Sequence, residues 1–141
     1  MPKFLTGEFM RAYSGYAPLV LRVATGLVFA MHGYQKFMGG VEGVTGFLGS
    51  LSFPLPGVFA IILIAAELLG GIALIIGLGT RIAAKILAIV AFVAFLTVHA
   101  SKGFFLTGGG YEYIMLIFAA SVSLMITGGG KWAVDDYFRK Q

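Results

Sequence analysis

Residues Ile82 to Ala100 read IAAKILAIVAFVAFLTVHA, with no Gly or Pro and with Lys85 and His99 as the only ionisable side chains. As a helix the run rises about 28 Å at ~1.5 Å per residue, close to the roughly 30 Å hydrocarbon core of a bilayer. Alternation at period two is absent, so a strand is the weaker reading, and a membrane barrel needs about eight of them. Three more apolar runs flank this one, at about Ala17 to Gln35, Gly57 to Leu78 and Tyr111 to Thr127. The expected fold is all-α: an integral membrane four-helix bundle forming a single membrane domain over 1–141.

Composition agrees. The chain is 59% hydrophobic and 11% charged, against roughly 45–50% apolar and about 25% charged in soluble domains. The formal net charge of +4 does not form a polar stripe for nucleic acid, because the basic residues sit at the ends of apolar runs. Membrane lipids, through their anionic head groups, are the expected partner. With no cysteine, disulfides and thiol relays are excluded. The first residues, MPKFLTGEFMRAYSGY, lack a compact apolar core with a cleavage site, so the first span is expected to stay in place and act as its own signal.

Turn chemistry separates the spans. Pro56 in FPLPG (Phe53 to Gly57) suits a helix start, Gly77-Leu78-Gly79-Thr80-Arg81 is a tight reverse turn, and Gly108-Gly109-Gly110 precedes the last span. Val44, Phe47, Leu48 and Leu51 recur at i, i+3, i+4, i+7, which predicts a short interfacial helix over 41–52. Lys3, Arg11, Arg81, Lys85, Lys131, Arg139 and Lys140 fall on the side of the termini and central loop, against Lys36 and Lys102 opposite, a bias of seven to two. Positive charge is retained in the cytoplasm, so an N-in, C-in orientation is expected. Tyr13, Tyr16, Trp132 and Tyr137 would anchor that interface.

Ionisable residues inside spans cost something like 2.5–3.5 kcal/mol at a helix centre, so they mark function. The candidates are Arg22, His32, Lys36, Glu67, His99 and Glu112. His32, Lys36, His99 and Glu112 all fall toward the non-cytoplasmic ends, and His32, Glu67, His99 and Glu112 are expected to line one pocket opening toward that side. Each has a plainer role: Arg22 as a snorkelling side chain or a partner for helix-end carbonyls, Lys36 reaching the interface, Glu112 serving a first helical turn, and the histidines hydrogen bonding within the bundle. Glu67 resists that reading, because its span offers no charge at i±3 or i±4 and no basic residue shares its depth on the linear map. It is therefore expected to be protonated and available for proton exchange. Two histidines without CxxCH, and without a pair at i, i+4, make haem an unfavoured reading and a metal site more so.

Taken in order, Leu21-Arg22-x-x-x-Gly26, His32-Gly33-x-x-Lys36, Glu67-Leu68-Leu69-Gly70-Gly71, Gly77-Leu78-Gly79-Thr80-Arg81, His99-x-x-x-Gly103-Phe104-Phe105 and Gly109-Gly110-Tyr111-Glu112-Tyr113 resemble the DoxX family over about residues 18–130. The resemblance implies a small four-helix protein of the bacterial cytoplasmic membrane, associated with an oxidoreductase. It carries a site role onto the six residues above, and its last motif adds Tyr111 and Tyr113. Two functions follow as expectations. One is a membrane subunit of a quinone-linked oxidoreductase system, in which His, Glu or Tyr groups exchange protons with a quinone head and a redox partner protein supplies the electron carrier. The other is a non-enzymatic scaffold, lipid-binding or small-molecule transport protein. Small-residue stripes such as Ala119-x-x-x-Ser123-x-x-x-Thr127 also fit packing within one chain or within a homo-oligomer.

Overall fold

The computed structural model describes residues 7–139, and Lys3 and Lys140 of the charge count lie outside them. The described residues are helical and contain no strand. A short α1 (Glu8–Arg11) and a 3-10 turn lead into α2 (Ala17–Gly39), followed by α3 (Val41–Ser50), α4 (Pro56–Ile76) and α5 (Thr80–Ala94). A π turn (Phe95–His99) and a 3-10 turn (Ala100–Lys102) continue α5, and α6 (Glu112–Thr127) and α7 (Val134–Arg139) follow among the described residues. Three helical runs are long and apolar enough to cross a membrane: Ser14–Gly39, Pro56–Ile76 and Thr80–Lys102. Helix α6 is apolar but shorter.

Local chemistry places the boundaries. Pro56 opens α4, where a missing N–H leaves no intrahelical bond unmade. Gly77 (φ 74°) and Gly79 (φ 56°) take the left-handed conformation that turns the chain between α4 and α5. Helix α3 forms as its periodicity predicts and buries Val44 and Leu48 against Ala60 and Ile64 of α4.

Helix α2 packs on α4, α4 on α5, α5 on α6, and α6 returns to α2. Their shared core holds Phe29, Leu74, Leu87, Ala91, Ile117 and Leu124. Val20, Leu27, Ile61, Leu69, Ile89, Leu96 and Leu116 point outward and exposed, as side chains facing lipid do.

The α2–α4 seam is the closest. The two helices run antiparallel, with Gly26 against Gly71 and Ile75, Ala30 against Gly71, and Gly33 against Leu68. A Cβ on Gly26 would stand 2.6 Å from the Gly71 carbonyl oxygen. Lipid tails are as apolar as leucine, so helix association in a membrane depends on such close backbone approach.

The third span departs from its sequence reading. The uninterrupted run from Ile82 to Ala100 is α-helical only to Ala94 and then widens into the π turn. The Thr97 hydroxyl donates to the Val93 carbonyl at 2.8 Å within this stretch. The extra residue per turn shifts the angular position of everything beyond it, His99 included.

Candidate functional site

Antiparallel packing of α2 on α4 brings the end of one helix beside the middle of the other, and there Lys36 meets Glu67. The Lys36 ammonium lies 2.5 Å from the Glu67 carboxylate. The Glu67 side chain is 9% exposed and that of Lys36 28%, so the anion is enclosed while the cation keeps an opening. This corrects two expectations. Glu67 has a basic partner at its depth, and Lys36 turns to that partner instead of the interface. A lysine stem moves its charge several ångströms from its Cα, so the height of a residue on a linear map does not give the height of its charge. His32 stands one turn before Lys36 on the same face of α2 and is exposed. His32, Lys36 and Glu67 thus form a polar strip running from the outer face of α2 into the seam.

His99 and Glu112 are held by the loop between the third span and α6. The His99 Nδ1 lies 2.7 Å from the Gly109 carbonyl oxygen. A carbonyl can only accept, so Nδ1 carries the proton and, in the neutral ring, Nε2 is left as the acceptor. Glu112, the first residue of α6, accepts the Leu106 N–H at 2.6 Å and so ties the preceding loop to the helix start. Tyr111 packs edge-on against Phe95 and Phe104 at 5.4 and 5.6 Å. Tyr113 is partly exposed on α6.

Arg22 is fourteen residues before Lys36 on α2, about 21 Å away along the axis at ~1.5 Å per residue. It is 1% exposed. Its Nη1 donates to Leu74 O at 3.0 Å and to Ile75 O, its Nε to Gly129 O at 2.9 Å and its Nη2 to Trp132 O at 2.9 Å. The guanidinium therefore neutralises the carbonyl end of α4 and ties the segment after α6 to it. Of its two plain readings, the carbonyl partner is the observed one.

Asp135 was absent from the sequence candidates, yet it completes this end. Its carboxylate accepts the Gly79 and Thr80 N–H groups at 2.6 and 2.8 Å, capping α5 from outside. Its own N–H donates to Gly77 O at 3.0 Å. Burial pushes the Asp135 carboxyl up, but hydrogen bonding to Thr80 and Gly79, together with the Arg22 charge, outweighs this and holds it below the usual carboxylate range. Only an acidic residue just beyond an apolar span, opposite an uncapped Gly-Thr helix start, could have flagged it.

Among the described residues no cluster of three or more His, Cys, Asp or Glu stands ready for a metal ion. The geometry offers proton chemistry: a lysine–glutamate pair open on one side, and an imidazole oriented by the Gly109 carbonyl.

The DoxX family pattern matches residues 17–100. The chain belongs to the DoxX family. The matched segment contains Arg22, His32, Lys36, Glu67 and His99, while Tyr111, Glu112 and Tyr113 lie beyond it. A Bacillus subtilis protein named "Putative oxidoreductase CatD" is 37% identical over 122 residues, covering 86% of this chain and 87% of the relative. An uncharacterized protein of Haemophilus influenzae is 33% identical over 135 residues, 94% of this chain and 98% of its own. No solved structure gives a significant match. This is a DoxX family membrane protein with a relative named for oxidoreductase activity.

Proposed function

We propose that this DoxX protein is a membrane subunit of a quinone-linked oxidoreductase system, and that the Lys36–Glu67 pair exchanges protons with the quinone head. In this reading α2, α4, the α5 run and α6 cross the bacterial cytoplasmic membrane as a four-helix bundle, with both termini inside. The observation that carries it is the buried Glu67 carboxylate joined to a half-open Lys36 ammonium. Ionisable side chains inside an apolar span are costly and mark function, and the partial exposure of Lys36 leaves an opening by which a ligand could reach the pair. A quinone accepts two electrons and two protons, and the electrons would come from a redox partner protein.

The residues fit that substrate. The Lys36 ammonium can donate to a quinone carbonyl, and Glu67, on releasing Lys36, can carry a proton. The exposed imidazole of His32 can pass protons along the outer face. His99 and Tyr111 offer a second polar and aromatic setting at the loop.

The close glycine seam around the pair also favours a second reading, in which Lys36–Glu67 pins two helices in a non-enzymatic scaffold or transport protein. Extraction of quinone from protein purified in mild detergent separates the two. The proposal expects isoprenoid quinone in near-equimolar amount. Repeated absence of quinone, together with no binding of an added short-chain quinone, supports the scaffold.

A further inference from the structure

At the end of the bundle far from Lys36 and Glu67, a cleft of about 550 Å³ opens between the start of α5, the end of α6 and the segment that follows. Arg81, Lys131 and Arg139 line it together with Asp135 and Asp136. Asp135 caps α5 and Asp136 shares Arg139 at 2.8 Å, so the three cations of the lining exceed its two acids by one charge. Arg81 is fixed at the rim, because its Nη atoms donate to the Met125, Ile126 and Thr127 carbonyls that end α6. Its Nε edge lies beside Gly128, 3.4 Å from where a Cβ would stand. The Lys131 ammonium is steered by the Tyr16 ring, 5.9 Å below it.

A second observation stands beside the cleft. Trp132, Tyr137 and Phe138 are 76%, 65% and 63% exposed, although nothing in water favours three large aromatics on one short segment. At the end of membrane spans they belong at the level of the lipid head groups. Basic side chains at that level attract anionic lipid, and the cleft volume falls in the range of small-ligand sites.

We propose that this cleft binds the phosphate of an anionic phospholipid, with Arg81, Lys131 and Arg139 around the head group and Trp132, Tyr137 and Phe138 against the glycerol and upper acyl chains. The site is independent of the quinone reading. It lies at the other end of the spans and shares no residue with that one.

Trp132 is the only tryptophan, so its emission reports on the cleft without a label. The full chain in neutral detergent is titrated with short-chain phosphatidylglycerol, phosphatidylcholine and inorganic phosphate, and lipid retention is read in parallel by native mass spectrometry. The expected result is saturable binding of phosphatidylglycerol, roughly tenfold tighter than phosphatidylcholine, with inorganic phosphate far weaker. Lys131→Gln with Arg139→Gln changes two exposed side chains and should keep the thermal midpoint while removing the preference. Equal response to both lipids, or an unchanged preference in the double variant, overturns the proposal. Phosphate binding as tightly as phosphatidylglycerol would make this a free-anion site and overturn the lipid assignment.

Discussion

The Glu67 carboxylate, buried midway along α4, is paired with the Lys36 ammonium at 2.5 Å across the closest helix seam in the protein. The two charges are not equally enclosed, and the asymmetry has measurable consequences. Lys36→Met strands a carboxylate that is 9% exposed, whereas Glu67→Gln strands an ammonium that is 28% exposed and can swing to the head groups.

Lys36→Met should therefore destabilise more than Glu67→Gln. Breaking a buried pair costs about 3–5 kcal/mol; the lysine variant should approach that range, and the glutamine variant should fall below it. Thermal unfolding in detergent ranks the two. Equal losses, or a larger loss in Glu67→Gln, would show that the opening beside Lys36 does not relieve its charge.

The glycine seam makes a second prediction. Gly26→Ala places a methyl 2.6 Å from the Gly71 carbonyl oxygen, and helices on both sides must move. Overpacking of this kind costs about 1–3 kcal/mol. Gly39→Ala, at a position with open space around its Cβ, is the matched control and should leave the unfolding midpoint in place.

Much of this architecture is legible in the sequence, and the rest fails for identifiable reasons. Apolar length marks the three runs long enough to cross a membrane, Pro56 and the Gly77–Gly79 turn mark their limits, and i, i+3, i+4 spacing marks α3. The Lys36–Glu67 pair is hidden because its partners are 31 residues apart and a flexible stem decides where the ammonium goes. The π turn is hidden because Phe95 to His99 contains no residue that breaks a helix. Asp135 is hidden because the groups it caps belong to a turn more than fifty residues earlier, a tertiary relation that no local pattern encodes. The structure also distributes the polar candidates: Lys36 with Glu67, His99 and Glu112 each onto the 103–111 loop, Arg22 at the far end.

Acid should loosen the Arg22–Asp135 end. The folded carboxyl of Asp135 sits below its ordinary value of 3.8, so its contribution is fully present above that value and is lost as pH falls through the lower folded-state one. The unfolding midpoint of the wild type should drop below pH about 4, and Asp135→Asn should flatten that part of the profile. At neutral pH the same variant keeps one acceptor oxygen but loses the other of its two N–H bonds, and should lose about 0.5–1.5 kcal/mol, the net worth of one hydrogen bond. A profile identical to wild type would show that the cap does not stabilise the end of the bundle.

Orientation is open to direct labelling, since the chain has no native cysteine. Glu42→Cys should react with an impermeant thiol reagent in intact cells, and Arg139→Cys only after permeabilisation. The reverse pattern would invert the topology.

The most direct test of the central claim is the affinity for a short-chain quinone of the purified wild type, compared with a Lys36→Met, Glu67→Leu double variant that removes both charges and keeps the seam apolar. Replacing both members of a buried pair by apolar groups is often neutral for folding, so the variant should retain its unfolding midpoint. The account predicts saturable binding in the wild type and at least about a tenfold loss in the variant, the equivalent of one charge-assisted hydrogen bond. Equal binding by both proteins, or none by either, would contradict it.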